Sequence, residues 1–390
     1  MVHLGRRSFL QLVPGAALAL SDLRPAQAAN EPLRIGSILS VTGPAAFLGE
    51  DMKAGLQLAV EEINAAGGIN GRKIAWTFYD AESQTQKAIS ATRRLISQDR
   101  VEMILSGGNM SGIALAMAPL AEAAKVPFIS SEGALAIVTP VAGRRWVFKS
   151  TVDDGDVLER IADYFDKKKI KKVALLADTS GFGQGAVAQM KLVGPKRGLD
   201  VMYESFGPAD TDMMPQLTRI RDSGAEAIVC WTVTPAGVVF LKQAQQLGLD
   251  NRTLIHSYGF VSADYMKLAG DAAKPLLLAS LKISVGDQLP DSDPLKAGIL
   301  KLYRNYEARF GRPPSLYAAE SYDAMLLAQQ ALLKVGGDPA KIPEGLESIR
   351  NFAGLSGVFN FSPERHSGLS KHDIVLINWR DGRFNLVDYA

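Results

Sequence analysis

Several short stretches of this chain combine hydroxyl groups with glycine. They are Ser40-Val41-Thr42-Gly43-Pro44, Ser106 to Ser111, Ser130-Ser131-Glu132-Gly133, Thr179 to Gly185, Thr232-Val233-Thr234-Pro235 and Ser257-Tyr258-Gly259-Phe260. Each follows an apolar run, and ligands of open parallel sheets bind just beyond the carboxyl ends of the strands. Hydroxyls and bare backbone N–H groups suit recognition of an anion. Ser111 opens an apolar helix and can serve as its N-cap, with free backbone donors and the positive dipole end facing a cleft. A carboxylate would fit there. A serine also caps helices that bind nothing, so its type alone leaves both readings open, as it does for Ser130-Ser131.

The sequence Gly181-Phe182-Gly183-Gln184-Gly185 lacks the third glycine of a dinucleotide fingerprint at the required spacing. It fits a tight strand-to-helix turn, with Phe182 available to cover a ligand. A phosphate-cradling Gly-x-x-x-x-Gly-Lys-Ser/Thr loop is absent.

Enzyme chemistry finds few of its parts. Beyond the leader described below, the histidines are His256, His366 and His372, without the spacing of a zinc site, and the single cysteine is Cys230. His366 and His372 sit among polar residues and are expected on the surface, whereas Cys230 lies in an apolar run and is expected in the core. No Gly-x-Ser-x-Gly elbow occurs. Asp80, Glu82, Asp153 and Asp154 follow strands or lie in a connection, as solvated turn carboxylates commonly do. The chain is expected to be no enzyme, and to carry no cofactor or metal.

These residues need a frame, and the apolar pattern supplies one. Strands are predicted at Leu33 to Leu39, Lys73 to Tyr79, Val101 to Leu105 and Val126 to Ile129, with amphipathic helices over Met52 to Ile63, Lys87 to Ile96 and Ile113 to Ala124. Phe148 to Asp156 reads as a connection, after which the pattern restarts at Lys172 to Asp178. Strands then follow near Val201 to Phe206, Ala227 to Trp231 and Thr253 to His256. One sheet with so many strands would tend to split, so two lobes with a cleft between them are expected. An apolar run at Pro275 to Ile283, helices near Pro294 to Phe310 and Leu316 to Lys334, and strands at Gly357 to Phe361 and Asp373 to Arg380 close the chain.

The first 28 residues read as an export leader: Arg6-Arg7, a weakly apolar stretch to Leu20, and Ala26-Gln27-Ala28 as a cleavage site, with cleavage expected after Ala28. Gly5 to Gln11 resembles the twin-arginine consensus. Without the leader the chain holds 40 basic and 40 acidic side chains, which argues against nucleic acid as a partner. No cysteine pair is available for a disulfide, and no cysteine stands at the cleavage site to take a lipid. With 47% hydrophobic and 22% charged residues, the composition is that of a soluble α/β protein.

The segment Ile35 to Gly49, followed by Ala54-Gly55 and Glu62 to Gly71, resembles the opening of the branched-chain amino-acid binding protein family, the type I periplasmic receptors of ABC importers. Asp80, Ala118 to Pro127, Gly181 to Gly185 and Phe359 to Glu364 extend the resemblance over the chain that follows the leader. It implies an α/β type I periplasmic-binding-protein fold, with two Rossmann-like lobes of parallel sheets joined by three crossover hinges. The expected N-terminal lobe is 29–152 plus 282–358, and the C-terminal lobe 153–281 plus 359–390. It further implies a monomeric periplasmic receptor that closes over a small carboxylate or amino acid and delivers it to a permease in the inner membrane. A ligand-sensing protein of the same fold is the alternative.

The resemblance also implies a site. Ser111 and the loop Ser131, Glu132, Gly133 and Ala134 match positions that hold a ligand carboxylate, although Glu132 and Ala134 replace a small residue and a hydroxyl-bearing one, so Ser111 is expected to bind the anion first. Leu48, Phe182, Val233, Tyr258 and Asp154 complete the expected ligand set. Tyr258 stands where amino-acid receptors of the family carry a carboxylate that pairs with the ligand ammonium. Either Asp154, Asp178 or Glu132 takes that role, or the ligand has no ammonium, since an unpaired buried ammonium is costly. Phe47, Phe182, Trp231, Tyr258 and Phe260 are expected near the cleft rim, about half of them in the core, and would suit an aromatic or other hydrophobic acid.

Overall fold

The computed structural model describes residues 31–389, so the expected leader and its cleavage site lie outside the described residues. The chain begins as β1 (Leu33–Leu39), α1 (Ala46–Ala65), β2 (Ile74–Asp80), α2 (Thr85–Ser97), β3 (Met103–Gly107), α3 (Ser111–Ala124), β4 (Phe128–Ser130) and β5 (Val147–Lys149). These strands form one five-stranded sheet in the order β2-β1-β3-β4-β5, with every pairing parallel. The strand residues of β3, β4 and β5 are all buried, as their continuous apolar runs require between two helical layers. β5 corrects the expectation that Phe148 starts a connection. A three-residue strand is too short to show alternation.

The second half repeats the plan with α4 (Asp154–Lys168), β6 (Lys172–Asp178), α5 (Gly181–Lys196), β7 (Asp200–Phe206), α6 (Met214–Ser223), β8 (Ala227–Trp231), α7 (Ala236–Gln246), β9 (Thr253–His256), α8 (Ala263–Ala269) and β10 (Leu276–Leu281). After them come α9 (Lys296–Phe310), α10 (Leu316–Lys334), α11 (Ile342–Glu347), β11 (Phe352–Ala353), β12 (Val358–Phe359), β13 (Ile374–Arg380) and β14 (Arg383–Asp388). The second sheet runs β14-β13-β10-β9-β8-β6-β7, its last two strands in sequence added antiparallel to a parallel body. β11 and β12 pair in a small antiparallel sheet of their own, and three passages join the two lobes: β5 to α4, β10 to α9, and β12 to β13.

α10 returns to the first lobe and lies on α1. The contact is close because Gly55 faces the backbone of α10: a Cβ there would fall 2.1 Å from the Ala318 carbonyl oxygen. Ser321 Oγ also donates to Met52 O at 2.8 Å. Gly55→Ala is therefore expected to destabilise the fold by about 2 kcal/mol, since neither backbone can yield easily, and a urea titration reads it directly.

The passage from β12 to β13 runs back along β5, with Lys149 N donating to His366 O at 3.0 Å. His366 is buried, stacked on Phe148 with ring centroids 3.9 Å apart, which corrects its expected surface position. Its Nδ1 reaches Val147 O at 3.0 Å and its Nε2 reaches Glu347, so a polar sequence neighbourhood concealed a satisfied interior site. His372 is exposed and Cys230 fully buried, as expected. Among the described residues no helix is long and apolar enough to cross a membrane.

Candidate functional site

The turn from β3 into α3 places Ser106, Gly108 and Asn109 at positive φ. Such a turn exposes successive backbone N–H groups, and Glu132 gathers them. Its carboxylate accepts from Gly107 N at 2.9 and 3.0 Å, from Asn109 N at 2.8 Å and from Ser130 Oγ. Glu132 thereby ties the β3–α3 turn to the loop after β4. Burial pushes its carboxyl up while these donors pull it down.

Ser111 is the first residue of α3 rather than its cap. The cap position is Met110, which offers no side-chain acceptor, so no side chain caps the start of α3. Ser111 Oγ instead accepts from Ala134 N at 3.2 Å, a bond that still leaves the hydroxyl proton free to donate.

From the second lobe, α5 points its own start at α3. Ser180 caps α5 by accepting from Phe182 N and Gly183 N, and Asp178 fixes that cap by accepting from Ser180 N and from Thr232 Oγ1 at 2.6 Å. The two helix starts meet at Gly112 and Gly181: a Cβ on Gly181 would stand 3.0 Å from Gly112 Cα. Beside them Tyr258 packs edge-on to Phe182, with centroids 5.7 Å apart, and its hydroxyl presses on Gly133.

Between the lobes lies a cavity of about 130 Å³. Leu48, Ser111, Ser131, Glu132, Gly133, Phe182, Val233 and Tyr258 line it, so the structure brings these predicted residues together. Ala134 and Asp154 are buried but do not reach the cavity wall. Ala134 serves through its backbone N–H on Ser111, and Asp154 starts α4 behind the wall. Asp178 is likewise off the wall, committed to Ser180 and Thr232. Of the predicted aromatic rim, Trp231 and Phe260 are core residues, while Phe47 packs on Tyr265 and Tyr317.

Sequence reasoning missed Met52, Ser83, Thr85, Tyr317 and Glu320, which also line the cavity. A signal existed for the last two. Tyr317 and Glu320 stand one turn apart on α10, where Glu320, Ser321 and Asp323 break a helix that is apolar on either side of them.

Among the described residues no lysine, arginine or histidine lines the cavity. Its carboxyl groups are those of Glu132 and Glu320, both buried, and burial holds the Glu320 carboxyl well above the usual range. A buried cation stands just behind: Lys149 Nζ donates to Gly133 O and to Val152 O, the latter at 3.1 Å, which ties the ligand-facing loop to the first crossover. Burial lowers the Lys149 ammonium and nearby carboxylates oppose that.

Two α/β lobes, strand ends converging on an interlobe cavity and an uncapped helix start form the architecture of a receptor that closes on a small solute. The sequence pattern of the periplasmic binding proteins matches residues 32–383. This chain belongs to that family. The type I periplasmic-binding-protein fold expected from the opening motif is found. The Leu/Ile/Val-binding protein homolog 7 of Brucella abortus is 27% identical over 98% of this chain and 95% of its own length. A substrate binding protein of a branched-chain amino acid transporter from Streptococcus pneumoniae, solved with isoleucine, superposes with a TM-score of 0.78 at 25% identity, covering 92% of this chain and 100% of that one. A solute binding protein of an ABC transporter from R. palustris, solved with benzoate, superposes at 0.77 and 22% identity over 92% and 96%. Members of this periplasmic binding protein family bind solutes rather than transform them, and membership implies a periplasmic location.

Proposed function

We propose that this periplasmic binding protein is the solute receptor of an ABC importer, which holds a small carboxylate between its lobes and hands it to an inner-membrane permease. The observation that carries the reading is the start of α3, bare of any side-chain cap and opening with Ser111 onto the interlobe cavity. Aligned peptide dipoles and free N–H donors there favour an anion, and Ser111 Oγ adds a donor of its own. Size narrows the ligand. The cavity is about 130 Å³, comparable with the ~150 Å³ that accommodates benzene, so a short branched or single-ring body fits.

The receptor acts as a monomer, reaches the periplasm through the twin-arginine-like leader, and hinges between 29–152 with 282–358 and 153–281 with 359–390. The strands of the two large sheets and the packing of α10 on α1 support that division.

Ser111→Ala tests the anion site. Losing one hydrogen bond to a charged group is expected to weaken binding about tenfold, read by calorimetry with whichever of a panel of amino acids and carboxylic acids raises the melting temperature of the refolded protein. A panel without any carboxylate hit would end the reading.

A further inference from the structure

Several polar atoms in the cavity wall have no hydrogen-bond partner among the described residues. Glu320 is 1% exposed, and one of its oxygens accepts from Thr151 Oγ1. Its other oxygen takes part in no hydrogen bond among the described residues. Tyr317, one turn earlier on α10, and Tyr258, facing it from the second lobe, are each 4% exposed and carry hydroxyls without a partner. Asn109 Oδ1 is buried and unpartnered as well, its amide nitrogen being spent on Ser40 O at 2.8 Å. Carboxylate, phenol and amide oxygens all accept hydrogen bonds, and a set of acceptors around one cavity suits a group with several N–H donors.

Charge points the same way. Glu132 is saturated by its backbone and serine donors, which leaves Glu320 as the acid on the wall with capacity to spare. Lys149 spends its ammonium on the carbonyls of Gly133 and Val152 and is not on the wall. A simple carboxylate would thus enter beside two buried acids with no facing cation, whereas a zwitterion brings its own.

We infer that Glu320 is the specificity-determining residue of this receptor, pairing with an ammonium group on the ligand from the first lobe, where Tyr258 of the second lobe offers only a hydroxyl. The inference rests on the carboxylate reading of the same cavity. Together they make the ligand an amino acid, its carboxylate at Ser111 and its ammonium at Glu320.

The test uses matched pairs on the mature chain, stripped of ligand by unfolding and refolding: L-leucine with 4-methylpentanoate, L-valine with 3-methylbutanoate, L-phenylalanine with 3-phenylpropanoate. Calorimetry on the unmodified protein should show at least one amino acid binding about thirtyfold or more tighter than its deaminated partner. Glu320→Gln should weaken that amino acid by about thirtyfold and leave the partner acid unchanged, with a melting curve confirming the fold. The inference is overturned if the deaminated acids bind as well as the amino acids, or if a folded Glu320→Gln protein binds the amino acid normally; the carboxylate site survives either result. Absence of binding by every member of the three pairs would overturn both.

Discussion

Gly133→Ala is expected to lower ligand affinity by about a hundredfold while the melting temperature of the ligand-free protein stays nearly unchanged. A Cβ at Gly133 would fall 1.7 Å from Tyr258 Oη and 2.9 Å from Phe182 Cε2. Gly133 belongs to the loop after β4 in the first lobe, whereas Phe182 and Tyr258 belong to the second. The collision is therefore felt only where the lobes meet, and opening the hinge relieves it without disturbing either core. A two-state hinge converts that local clash into affinity, because any free energy added to the closed state is subtracted from ligand binding. Tyr258→Phe in the same background removes the closest atom and should recover part of the loss. Calorimetry paired with melting curves separates this from ordinary overpacking. An equal fall in the stability of the free protein would place the effect in a core and refute the hinge account.

The same position shows what could be read from sequence. Ser111, Ser131, Glu132 and Gly133 were predictable because each follows a strand, and the chain reversal after a parallel strand fixes where those atoms go. Phe182, Val233 and Tyr258 follow from the same rule in the second half. Tyr317 and Glu320 escaped because they lie on a helix far along the chain, and no local rule says which lobe that helix joins. Their place is set by α10 lying on α1 across Gly55, a long-range contact of backbones. The departure at Tyr258 could be seen in sequence, but its partner in the wall could not. Glu132 illustrates a different limit. Its type suggested a counter-charge, and the structure shows it binding backbone N–H groups of a strained turn. Whether an acid serves a ligand or a loop depends on donors that sequence does not reveal. Asp154 was misplaced for a similar reason, standing at the right height along the chain but behind the wall.

Asp154 nonetheless carries a large expected effect, on stability and its dependence on pH. It is 0% exposed, neither carboxylate oxygen has a hydrogen-bond partner among the described residues, and a Cβ at Gly185 would lie 2.3 Å from Oδ2. Burial pushes its carboxyl up to about 7, Lys149 working against the shift and Asp153 with it. In the unfolded chain the same group titrates near 3.8. Between those values the folded protein holds a proton that the unfolded chain has released, so stability is fully present below about pH 4 and falls as pH rises. The fall ends above about pH 7, when both states are ionised. Asp323, buried against the backbone of Leu355 and Ser356, is also raised to about 7 and adds a contribution of the same sign. Asp154→Asn is neutral in both states and removes one proton from the balance. Urea unfolding should then show the variant gaining up to about 4 kcal/mol over the parent at pH 8 and nothing at pH 4, with the parent's decline between them made shallower. Parallel profiles for the two proteins would mean that Asp154 titrates alike in the folded and unfolded chain, and would refute the account of a carboxyl kept protonated by burial.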